Sequence, residues 1–178
     1  MLWRTGSIIA IIIAFTLMSA PLRGEPVKHQ VTGLFMPARE ADLRELVATL
    51  PGVKLVRVDF KNAEAVFDYE VKKFGKPDQA MKALDQMLQQ ASRGAFGIKP
   101  LSTTPADRLK LVVIPVSGLD CKACSLAAYE AVYRLEGVER ATASFRDGKV
   151  TALIDPSKTD RAKLEDALKK RGVSIKKE

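Results

Sequence analysis

The chain has 178 residues, of which 47% are apolar and 28% charged, with 29 Lys and Arg against 21 Asp and Glu and a net charge of +8. This length fits one medium domain or two small ones, and the apolar content is ordinary for a globular protein. Basic residues are interleaved with acidic ones and only 6% of the residues are aromatic, whereas a nucleic-acid groove needs clustered cations and stacking rings, so we expect no nucleic-acid partner.

The first 24 residues have the pattern of an export signal. Arg4 precedes an apolar run from Ser7 to Met18, and small residues around Ala20 follow it. The run is short for a helix that crosses a bilayer, and this pattern is typical of a secretory signal peptide. Met18 is large for its place near the cleavage site, so an uncleaved anchor stays an alternative. We therefore expect a periplasmic or otherwise exported protein, which is membrane-anchored only if residues 1–24 remain.

The rest of the chain contains an internal repeat. When Val31 is placed on Val116, VTGLFMPA falls on VSGLDCKA, and Phe60 falls on Phe145 without a gap. Self-similarity of this kind indicates a duplicated structural unit. The sequence therefore predicts two copies of one domain.

The first copy begins with a strand that contains His29, the only histidine of the chain. An amphipathic helix follows, and a longer second helix is predicted from about Asp78 to Arg93. His29 is expected to be a strand residue rather than a metal ligand, because no second ligand is visible near it. The apolar stripe of the first helix follows the spacing i, i+3, i+4, i+7 and consists of Leu43, Leu46, Val47 and Leu50.

The second copy has the same order of elements, with clearer signals. LKLVVIPV predicts an opening strand, and GVERATASF and KVTALID predict two more, joined by a hairpin at Asp147-Gly148. Pro115 lies in the opening strand, where its missing N–H predicts a bulge.

A second helix from Asp160 to Lys170 completes this copy, with VSIKK as a short closing strand. Ser157 or Thr159 is the expected helix cap, and Gly172 is the expected stop.

The order βαββαβ in each copy predicts an α+β protein with two ferredoxin-like sandwich domains in tandem. KPLSTTPAD, with two prolines and small polar residues, predicts a linker. We therefore expect a first domain at 27–99, a linker at 100–107 and a second domain at 108–178, behind the signal segment at 1–24.

The two cysteines of the chain, Cys121 and Cys124, are placed by this fold in the loop after the opening strand and in the first turn of the helix. The helix N-terminus favours anions, so we expect the pKa of both thiols to be lowered. Two thiolates at this spacing suit low-coordinate Cu(I) or Hg(II), and soft sulfur ligands also select Zn(II). A nearby Lys170 or Arg171 would offset the charge of such a complex. A disulfide at this spacing is the alternative.

GLDCKAC, followed by LEGV and a hairpin, resembles the heavy-metal-associated (HMA) domain, whose signature is Gly-Met-x-Cys-x-x-Cys on a ferredoxin-like fold. The family includes copper chaperones, amino-terminal domains of metal-exporting P-type ATPases and the exported mercury-binding protein. The resemblance implies that Cys121 and Cys124 bind one metal ion and that the partner is a metal-transporting or metal-accepting protein. Leu119 replaces the usual Met as a packing substitution. Asp120 stands where zinc- and cadmium-exporting members often have Asp, while Val173 replaces an aromatic residue of many relatives.

The first copy resembles the same family without its site. Met36 stands where Cys121 does, and Arg39 stands where Cys124 does. We expect Met36 to be a loop contact and Arg39, followed by Glu40, to be a solvated helix start. The first domain is therefore predicted to be a degenerate copy that binds no metal and docks a partner or its sister domain.

These observations predict an exported protein that holds one soft metal ion, most simply Cu(I), with Zn(II) or Hg(II) as alternatives, and passes it on by ligand exchange. The chain lacks a Ser/His/Asp set and a phosphate loop, so we do not expect an enzyme. A thiol–disulfide redox protein stays an alternative, because exported compartments oxidise thiols. An interaction module with vestigial cysteines is the other.

Overall fold

The structure, a computed structural model, describes residues 26–74 and 76–176. The predicted signal segment at 1–24 lies outside the described residues. Within the described part of the chain, no helix combines the length and the apolar character that a membrane span requires.

Residues 26–99 form a four-stranded antiparallel sheet with two helices, in the strand order β2-β3-β1-β4. The second helix ends one residue earlier than predicted, because Arg93 adopts the left-handed conformation with φ 54°. The elements are β1 (Pro26–Thr32), α1 (Arg39–Ala48), β2 (Val53–Asp59), β3 (Glu64–Tyr69), α2 (Pro77–Ser92) and β4 (Gly97–Lys99).

The second half of the chain repeats this topology, with the strand order β6-β7-β5-β8. The predicted α+β fold of two ferredoxin-like domains is therefore confirmed. The predicted hairpin is also found, since β6 and β7 pair on either side of Asp147-Gly148. The elements are β5 (Lys110–Ser117), α3 (Lys122–Tyr133), β6 (Val138–Ser144), β7 (Lys149–Ile154), α4 (Arg161–Lys170) and β8 (Ser174–Ile175).

One face of each sheet packs against the two helices of its domain. Along β5 and β7 every second residue is buried, as expected of strands with one solvated face. In α1 the predicted stripe is confirmed, with Leu43 and Val47 fully buried and Leu46 and Leu50 packed beside them. The same face of α3 is lined by smaller side chains, Ala128 and Val132 among them.

The bulge predicted at Pro115 is absent, and β5 pairs with β7 in continuous register through that residue. Val116 donates its N–H to the carbonyl oxygen of Gly148 on the β7 side. Because N–H groups alternate along a strand, the nitrogen of Pro115 faces the β8 side. There β8 is only two residues long, so the missing donor falls where the ladder ends.

The cap of α4 differs from the prediction. Asp160 is the capping residue, and its Oδ1 accepts the N–H of Lys163 at 2.9 Å. Ser157 instead donates to Asp155 at 2.6 Å within the preceding turn, and Thr159 is buried. The prediction of Ser157 or Thr159 was wrong, because Ser157 bonds to Asp155 and the buried hydroxyl of Thr159 makes no hydrogen bond to the described residues, while Asp160 fills the capping position.

We expect Asp160→Ala to lower the free energy of unfolding by about 1 kcal/mol, because it leaves an N–H of the first turn unpaired. Urea denaturation followed by circular dichroism measures this loss. Asp160→Asn keeps an acceptor oxygen and should stay close to the parent. Equal losses in the two variants would contradict the capping role.

Candidate metal centre

The cysteines lie where β5 gives way to α3, at one end of the second domain. Leu119 anchors the loop, since it is buried in the same core that contains Val173. The packing role predicted for Leu119 is therefore confirmed. Cys121 caps α3, and its Sγ accepts the N–H of Cys124 at 3.2 Å. Cys121 is exposed to solvent, whereas Cys124 is partly buried against the core.

Cys121 and Cys124 form a disulfide, with their Cα atoms 5.2 Å apart. Reduction by two electrons, with uptake of two protons, would open this bond and leave two thiols side by side on one short loop. Negative charge on either sulfur is favoured at this point, because the unpaired N–H groups and the positive end of the helix dipole face it. The donor set fits a small soft cation held between two sulfur atoms.

The surroundings of the loop add few further ligands. Within residues 26–74 and 76–176, no three or more His, Cys, Asp and Glu side chains cluster closely enough to hold a metal ion. Asp120, Lys170 and Arg171 are exposed, and the roles expected for them stay predictions.

Lys122, between the two cysteines, is held by the first domain. Its Nζ donates to Oδ2 of Asp42 at 2.8 Å, and Arg39 donates to the same oxygen at 2.6 Å. The hydrogen bond from Lys122, together with that from Arg39, holds the pKa of Asp42 below its usual range. The cysteine loop thus has a direct ionic contact with the other domain, which the sequence did not reveal.

Comparison with known proteins indicates the family to which the chain belongs. No family model matches the chain, and no curated protein matches it. Among solved structures, the N-terminal domain of ZntA in the apo-form is 35% identical over 39% of this chain and 93% of that domain, with a TM-score of 0.36. This identity extends over nearly the whole of that domain. The chain belongs to the heavy-metal-associated domain family.

Two further solved structures are similar to the chain. The CopZ metallochaperone is 25% identical over 38% of this chain and its entire own length, with a TM-score of 0.37. The N-terminal domain of a potential copper-translocating P-type ATPase from Bacillus subtilis, in the Cu(I)-loaded state, is 25% identical over 38% of this chain and 85% of that domain, also with a TM-score of 0.37.

The first HMA domain holds a buried cation where its sister has Cys124. Arg39 is only 9% exposed, and its Nε donates to the carbonyl oxygen of Gly33 at 3.1 Å. Its guanidinium lies 3.9 Å from the centre of the Phe96 ring. The predicted solvated helix start was wrong, because Arg39 turns inward to acceptors that its own loop provides. In the repeat Arg39 aligns with Cys124, and an arginine at the place of a cysteine was the sequence signal that could have pointed to an unusual role.

Met36 and its neighbour Phe35 pack into the core of the second domain. Met36 is thus a loop contact, as predicted, but the contact is made across the two domains. The rings of Phe35 and Tyr129 lie 5.7 Å apart. In the repeat Phe35 aligns with Asp120, which is exposed. An aromatic residue at this position was the sequence signal for a contact between the domains, and the sequence analysis missed it.

His29 lies in β1, as predicted, and is buried. Its Nε2 and the hydroxyl of Tyr69 are 2.9 Å apart, which accounts for one of the ring nitrogens. Burial lowers the pKa of His29, because desolvation disfavours the charged form of the ring.

Proposed function

We propose that this chain is an exported carrier of one soft metal ion, bound by the thiolates of Cys121 and Cys124. The observation that carries the proposal is the meeting of the two sulfur atoms at an exposed helix N-terminus, where negative charge is favoured. Cu(I) is the ion that two thiolates alone suit best. Zn(II) and Hg(II) are the alternatives, and Asp120 would offer a carboxylate oxygen to a divalent ion.

Transfer by ligand exchange would begin at the exposed sulfur. Cys121 is open to solvent, so a thiolate of a partner can bind the ion while Cys124 still holds it. Each exchange breaks one metal–sulfur bond and forms another, without any change in oxidation state. The partner is accordingly a metal-transporting or metal-accepting protein with a sulfur ligand of its own.

Export rests on the amino-terminal pattern, in which Arg4 precedes the apolar run from Ser7 to Met18. In this proposal the carrier works in the periplasm or outside the cell. It must then be kept reduced while it carries metal, because the disulfide leaves no thiolate to bind an ion.

A titration of the reduced chain with Cu(I), Zn(II) and Hg(II), in competition with a chelator of known affinity, tests the proposal. The control is the Cys121→Ser/Cys124→Ser double variant. We expect one ion per chain, bound tightly by the parent and not by the control. Equal binding by the two proteins would overturn the proposal.

A thiol–disulfide redox protein is the second candidate function, and the disulfide between Cys121 and Cys124 favours it. The reduction potential separates the two functions. A potential near those of dithiol oxidoreductases, about −270 to −120 mV, together with disulfide exchange with a protein substrate, would favour the redox function. Tight metal binding without such exchange would favour the carrier.

A further inference from the structure

Arg39 joins three parts of the first domain through one planar group. It donates to the carbonyl oxygens of Gly33 and, at 3.4 Å, of Ala95, and it forms an ion pair with Asp42. The guanidinium also stacks on Phe96. An arginine side chain offers five donors in a fixed fork, so it can bridge these acceptors at once, which lysine cannot do.

Two of the residues that Arg39 holds also contact the second domain. Gly33 donates its N–H to the hydroxyl of Tyr129 at 2.9 Å, and Asp42 accepts from Lys122. Both partners belong to α3, the helix that begins at the cysteines. Arg39 is therefore one residue removed from two separate contacts between the domains.

The segment between these contacts covers an open edge of the second sheet. Among the residues that the structure describes, β6 pairs only with β7 in that sheet, so no described strand lies beside its outer N–H and C=O groups. Ala143 of β6 donates its N–H to the carbonyl oxygen of Phe35 at 3.0 Å. Outside this segment, Gln30 of β1 also donates to the carbonyl oxygen of Glu139 at 2.6 Å. Edge strands with unpaired groups readily accept a further chain segment.

We infer that Arg39 is the positioning residue of an intramolecular docking surface, formed by residues 33–38 of the first domain. It holds this loop in the shape that fits the edge of β6 and the face of α3. The degenerate domain is thereby a built-in docking partner for the cysteine-containing domain, and the contact of Asp42 with Lys122 extends to the cysteine loop. The inference makes no use of a metal ion, so it stands or falls apart from the carrier function.

Amide hydrogen exchange of the full oxidised chain, measured by NMR, tests the inference in Arg39→Gln. The amide of Ala143, whose acceptor is Phe35 of the other domain, should exchange about tenfold faster or more in the variant. The amide of Ile98, which bonds to Asp85 within the first domain, should keep its protection. The matched control is Arg44→Gln, since Arg44 is exposed on the same helix. It should leave both amides unchanged.

Rotational diffusion from ¹⁵N relaxation provides a second measurement. The two domains should tumble as one body in the parent and as two in Arg39→Gln. Unchanged protection of Ala143 with a single tumbling time would overturn the inference. If Arg39→Gln unfolds the first domain, Arg39→Lys decides, because it keeps the charge without the fork. Faster exchange at Ala143 with Ile98 protected then supports the inference, and any other pattern contradicts it.

Discussion

Replacing Gly33 by alanine is expected to destabilise the first domain by about 3 kcal/mol or more. Gly33 has φ +88°, a conformation that costs an L-residue about 1–2 kcal/mol. An added Cβ would also overlap the carbonyl oxygen of Ala95 and lie 3.0 Å from the Phe96 ring. The backbone must shift to relieve this overlap, and the shift removes the carbonyl of Gly33 from Arg39. Urea denaturation followed by circular dichroism measures the loss.

Gly118 is the matched control for Gly33, because it occupies the same place in the second domain. It has a similar φ of +83°, but nothing lies within 4 Å of the Cβ that alanine would add. Gly118→Ala should therefore lower the free energy of unfolding only by the cost of a positive φ for an L-residue, about 1–2 kcal/mol. The prediction would fail if the two substitutions cost the same.

Replacing either cysteine by serine is expected to weaken soft-metal binding by about a hundredfold or more. Serine is nearly isosteric, but its hydroxyl oxygen is a hard, neutral ligand that a soft ion such as Cu(I) does not prefer. Substitutions of residues that only hydrogen-bond to a metal ligand already lower metal affinity by about 10- to 100-fold. Competition titrations of reduced Cys121→Ser and Cys124→Ser against the parent measure the effect, and circular dichroism confirms their fold.

Met36→Leu is the control for the cysteine variants. Met36 carries a soft thioether sulfur, at the position that Cys121 occupies in the second domain. Because it is buried between the domains, its replacement by leucine should leave metal affinity unchanged. A loss in Met36→Leu as large as in the serine variants would mean that the metal is held at another place.

The fold was predictable because the helical spacing of apolar residues and the turn signals indicated the same order of elements when the two copies were aligned. The stripe that contains Leu43 and Val47 predicted α1, and Asp147-Gly148 predicted the β6–β7 hairpin, in each case from local sequence alone. The repeat then supplied the topology, since a pattern that is ambiguous in one copy was clear in the other. The loop position of Cys121 followed from the same alignment.

Arg39 and Phe35 were not predictable in this way, because their surroundings come from distant parts of the chain. A charged residue at a helix start is ordinarily solvated. Here the carbonyls of Gly33 and Ala95, the ring of Phe96 and the ion pair with Asp42 together make burial of Arg39 favourable. The predicted cap of α4 was wrong for a local reason, because Ser157 donates its hydroxyl hydrogen bond to Asp155 instead. Sequence patterns report which face of an element is buried, but not which side chains meet across domains.

The measurement that tests the central claim most directly is X-ray absorption spectroscopy at the copper edge of the reduced, Cu(I)-loaded chain. The account predicts two sulfur neighbours for the ion, from Cys121 and Cys124, and the loss of one of them in Cys124→Ser. A coordination shell of nitrogen or oxygen alone, or a spectrum that Cys124→Ser leaves unchanged, would contradict it.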